Sequence, residues 1–132
     1  MDFAIQKKLS VLGKSGCLLF CYAFVGEIDE LRIITSFNLL RKSKIIDDDC
    51  YIKDAEKLYE FFRVPAKVIK AAPEQAPRNL PYVAYWKANE TKEGHFVVMK
   101  NNTVIYDPNG TSINVAKGKV ESIRIVTIKR KV

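Results

Sequence analysis

Three side chains have types and positions suited to covalent catalysis: Cys17, His95 and Asp107. Cys17 directly follows Gly16 and opens the apolar run Cys17–Val25, which Gly26 closes. A thiol in the first turn of a helix feels the positive end of the helix dipole, and a nearby imidazolium strengthens that field. Both favour the thiolate, the nucleophilic form. His95 is the single histidine of the chain and opens an apolar run, while Asp107 follows the next one. A carboxylate bonded to an imidazole fixes its tautomer and stabilises its protonated form. Gly16 permits close backbone approach, so an N–H of that turn is a candidate for one side of an oxyanion hole. The amide of Gln6 is a candidate for the other side. Cys21 lies one helical turn beyond Cys17 and is expected to be buried and inert; Cys50 follows Asp47-Asp48-Asp49, which disfavours a thiolate.

His95 and Asp107 meet only if the hairpin between them has the right register. A three-residue loop, Lys100–Asn102, pairs Met99 with Thr103, Val97 with Ile105 and His95 with Asp107. Directly opposed residues share a face, with Cβ atoms about 5 Å apart. A two-residue loop, Asn101-Asn102, pairs His95 with Pro108 instead and turns the aspartate to the other face. The three-residue loop is the register expected here.

The elements that must position these groups follow from periodicity. Cys17–Val25 is apolar at nearly every position, which predicts a helix buried on all sides. Asp29 caps a second helix running to about Leu40. Asp47-Asp48-Asp49 is read as a capping tract for a third, about Lys53–Phe62, whose Ala55, Leu58, Tyr59 and Phe62 share a face. A calcium site is disfavoured because the spaced oxygen ligands and terminal Glu are missing. After Pro65 the pattern becomes β-like: strands are expected at Ala66–Ala71, Tyr82–Lys87, His95–Met99, Thr103–Tyr106, Ser112–Val115 and Val120–Ile128. A Pro-bearing loop spans Ala72–Pro81. The expected fold is a single α+β domain over residues 1–132, helical to about 64 and a sheet from about 65.

Gln6, the segment from Gly13 to Cys17 with its apolar helix, Gly94-His-Phe-Val-Val98 and Val104-Ile-Tyr-Asp-Pro108 together resemble the papain-like cysteine peptidases. The compact branch that includes the bacteriocin leader-processing peptidases has these residue types in this order. The pattern is also similar to small uncharacterised proteins of spirochaete plasmids and phages. The resemblance implies a papain-like fold with a central helix from Cys17. It further implies Cys17 as nucleophile, His95 as general base, Asp107 as its orienter and Gln6 as oxyanion donor. The implied activity is hydrolysis of an amide bond in a peptide, an isopeptide or a cell-wall peptide, with no cofactor. A non-catalytic module that keeps this scaffold for binding is the alternative.

Composition bounds the remaining possibilities. The chain has 132 residues, 48% of them hydrophobic, which excludes disordered and low-complexity classes. Three cysteines cannot all pair, and their spacing lacks a CxxC, so reduced thiols are expected and zinc binding by Cys17, Cys21 and His95 is disfavoured. With no signal peptide or membrane span visible, a cytoplasmic protein with a shallow cleft is expected. Residues 1–50 carry seven basic and seven acidic side chains, so the net +7 belongs to residues 51–132. The basic stretch Lys117–Val132 is read as a solvated strand edge and tail; nucleic acid or another polyanion is its less favoured partner.

Overall fold

The computed structural model describes residues 6, 8, 10, 16–110 and 113–129. Among the described residues the helices with assigned bounds before the sheet are α1 (Cys17–Val25), α2 (Glu30–Lys42) and α3 (Ala55–Phe61). Then come β1 (Ala66–Ala71), β2 (Tyr82–Lys87), β3 (His95–Lys100), β4 (Thr103–Tyr106), the short α4 (Ile113–Lys117) and β5 (Lys119–Ile128). All strand pairs are antiparallel, in one five-stranded sheet of order β1-β5-β2-β3-β4. The α+β class expected from periodicity is what forms.

The helices start where polar side chains can take up free backbone donors. Asp29 accepts from Leu31 N–H and Asp54 accepts from Glu56 and Lys57 N–H. The cap of α3 is therefore Asp54, not the acidic tract upstream. Asp47 instead folds its own loop, accepting from Asp49 and Tyr51 N–H with one carboxylate oxygen, while Ile46 bridges to Ile52. That loop turns through Cys50, whose φ is +68°.

Strand alternation gives the sheet two apolar faces. On one, Val83 and Val98 pack beneath Leu19, Phe20, Ile33, Leu40, Leu58 and Tyr59 of the three helices. On the other, Ala84, Val97, Met99 and Ile123 form a smaller cluster joined by Val115 of α4 and by Ala76 beyond a 3₁₀ turn at Pro73–Gln75. Helix α1 lies across β3 and β2, with all but three of its residues buried. Phe24 is one exception: it is 41% exposed and stacks on Tyr106, so α1 is not buried on all sides. Buried Tyr59 locks the helix end by donating to the Tyr22 carbonyl at 2.5 Å.

Two expectations are corrected. Residues 113–117 are helical, not a strand; Ser112, where that strand was to start, lies outside the described residues. The β-branched run is short, and after the Asp107–Gly110 turn it packs against β2 instead of extending the sheet. Strand β5 is no edge: it pairs with β1 on one side and β2 on the other. Its lysines therefore do not guard an edge, and residues 130–132 of the basic tail lie outside the described residues.

Candidate active site

Helix α1 begins at Cys17, which is half-buried, and Gly16 before it has no side chain to claim the first-turn N–H groups. His95 starts β3 and is 4% exposed. Asp107 follows β4 directly, and its Oδ1 lies 2.6 Å from His95 Nε2. Cys17 lines the same cleft as His95 and helps to hold its imidazole protonated. The three groups singled out by type and spacing thus converge.

Burial pulls the His95 pKa down, but hydrogen bonds to Cys17 and Asp107, and the charge of both, outweigh it; the net shift is upward. The folded protein therefore holds this proton more tightly than the unfolded chain, whose histidine titrates near 6.5. The resulting stability is fully present below about pH 6.5 and is lost as pH rises through the raised folded value. Urea unfolding between pH 6 and pH 9 is expected to show this decline, and His95→Gln is expected to flatten it.

The register that brings Asp107 to His95 is not the expected one. The turn is the two-residue Asn101-Asn102, with φ of +51° and +63°, and pairs Lys100 with Thr103 and Met99 with Val104. Continued, that register puts Asp107 opposite Phe96 and on the wrong face. The ladder shifts at the next step, so that Val98 faces Tyr106 and Ile105 is the extra residue. This bulge restores the parity of Asp107 with Val97 and His95. The aspartate also caps its own turn: the same Oδ1 accepts from Asn109 N–H at 2.9 Å.

Gly94 sets the entry of β3. A Cβ there would lie 2.4 Å from both the Trp86 carbonyl oxygen and Tyr85 Cζ. The close approach lets Gly94 N–H donate to the Tyr85 hydroxyl at 2.8 Å. Beside these groups lies an open cleft of about 920 Å³, lined by Cys17 and His95 together with Tyr51, Lys70, Tyr85 and Arg124 among others. Tyr85, Arg124 and Tyr51 are not among the expected site residues, although Arg124 stands out as a cation inside the apolar run of β5.

The other site expectations fall out unevenly. Cys21 is fully buried; burial first, then the charges of Cys17 and Asp107, push its thiol pKa well up. Cys50 is buried yet borders the cleft. Gln6 is helical and exposed, and no hydrogen bond among the described residues ties it to Cys17.

The molecule is thus an α+β protein with a thiol, an imidazole and a carboxylate gathered beside a cleft. It belongs to the family DUF261, of proteins of unknown function, whose model matches residues 5–128. No curated protein and no solved structure matches the chain significantly. Among the described residues no helix is long and apolar enough to cross a membrane.

Proposed function

We propose that this chain is a papain-like thiol hydrolase of amide bonds, with Cys17 as nucleophile, His95 as general acid and base and Asp107 as the orienter of His95. The observation that carries this reading is the 2.6 Å His95–Asp107 contact on a ring that lines the same cleft as Cys17. With Nε2 held by the carboxylate, Nδ1 is the nitrogen left to exchange a proton with the thiol. In the first half-reaction the Cys17 proton passes to His95 and sulfur attacks the carbonyl carbon. The C–N bond then breaks and His95 returns the proton to the leaving amine. Water, deprotonated by His95, cleaves the thioester, releasing the acid and restoring the thiol. The first-turn N–H groups of α1 serve the oxyanion. Gln6 is assigned as their side-chain companion by the resemblance alone.

Iodoacetamide at neutral pH is expected to alkylate Cys17 at least about tenfold faster than the buried Cys21 or Cys50, because His95 beside it accepts the thiol proton. Mass spectrometry of timed digests reads the three rates separately. Equal, slow labelling of all three cysteines refutes the hydrolase and leaves a binding module.

A further inference from the structure

Strand β5 places a second chemical group in the same cleft. Arg124 lies opposite Lys70 of β1 and Val83 of β2, and both cations line the cleft that holds Cys17 and His95. Directly opposed like charges disfavour a strand pair. None of the ion pairs among the described residues involves either cation.

Arg124 is nevertheless held firmly. Its guanidinium stacks 4.7 Å from the centre of the Phe96 ring and donates to Ser122 Oγ at 3.0 Å. Phe96 and His95 line the same cleft, so the stacked guanidinium faces the space beside the proposed catalytic groups. A fixed planar cation keeps its geometry for an anion and loses little entropy on binding one. Lys70 is exposed and mobile about its stem, suited to a second, less directional contact. Through Val83, Arg124 is level with Val98 of β3, and its guanidinium reaches back over Phe96 toward His95; the two strands are about 10 Å apart across the sheet, the span of about three extended residues.

Resting on the hydrolase reading above, we infer that Arg124 and Lys70 select substrates bearing a carboxylate within about three residues of the scissile amide. The substrate class is thus an acidic peptide, its carboxylate supplied by a side chain or by a chain end. Glu121, exposed on the same cleft, disfavours that group on its own side and so favours placement at the cation pair.

The test uses chloroacetyl tripeptide amides carrying one Glu, or its neutral isostere Gln, at each position in turn. Cys17 sulfur displaces chloride from these reagents to form a thioether, so labelling rates report binding beside the thiol. At one position the Glu reagent is expected to label Cys17 about tenfold faster than its Gln twin, as a charge-assisted hydrogen bond allows. Added salt is expected to shrink the difference. Arg124→Gln and Lys70→Gln are each expected to reduce it severalfold. Lys67→Gln, which removes an equal charge from an exposed site of β1 outside this cleft, is expected to leave it in place. Lys70 is exposed, so its variant reads the effect even if Arg124→Gln unfolds. Equal Glu and Gln rates at every position overturn the assignment, as does a preference that survives both substitutions. Gln reagents that label Cys17 no faster than Cys21 overturn the hydrolase itself, and the substrate class with it.

Discussion

Under the proposed mechanism, replacing His95 by glutamine is expected to lower amide hydrolysis by about a thousandfold, the worth of a positioned acid–base group. Glutamine keeps a donor for Asp107 but cannot carry a proton between thiol and leaving amine. Alkylation of Cys17 by iodoacetamide is expected to fall about tenfold or more at pH 7, because thiolate formation no longer has an imidazole acceptor. The remaining rate is expected to climb with pH like that of an unassisted thiol. The two readouts separate roles: a purely structural histidine would depress stability without changing the shape of the pH–rate profile. Stopped alkylation across pH 5–9.5, with denaturation curves beside it, makes the comparison. A His95→Gln protein that labels as fast as the wild type removes His95 from the chemistry.

Gly94→Ala is expected to be nearly as damaging, for a different reason. The new methyl would meet the Trp86 carbonyl oxygen and the Tyr85 ring, each at 2.4 Å. The carbonyl belongs to a paired strand, Trp86 facing His95 and Val120, and cannot step aside alone. Relief requires Gly94 to move away, which breaks its hydrogen bond to Tyr85 and drags His95 from the thiol. Overpacking of this kind costs about 2 kcal/mol or more. A displacement of about 1 Å at a catalytic group costs about a hundredfold in rate. Urea unfolding and the Cys17 labelling rate measure the two effects independently. A fully stable, fully reactive Gly94→Ala protein would show that the entry of β3 does not govern the site.

Much of the architecture was legible because it rests on local rules. Apolar alternation located β1, β2 and β4 to the residue, and Asp29 marked α2 through the same hydrogen bond that forms. Local signals misled where two structures share one composition. Asp47 carries the residue type of a helix cap, yet its carboxylate is spent inside its own loop, leaving α3 to Asp54. The stretch after Gly110 is β-branched enough for a strand, but it folds as a helical turn against β2.

The site divides in the same way. By itself the sequence determined which groups were available: one histidine, a thiol behind a glycine at a helix start, and an aspartate after a strand. Their chemistry is intrinsic to the side chains and needs no fold to be named. The tertiary structure alone decided that they meet, because the Asn101-Asn102 turn by itself directs Asp107 away and a bulge at Ile105 brings it back. It also decided that Arg124 belongs to the cleft, because strand order sets β5 between β1 and β2 and no local pattern encodes strand order. Register and strand order depend on which distant segments pair, an energy shared across the whole sheet and written in no single stretch of the chain.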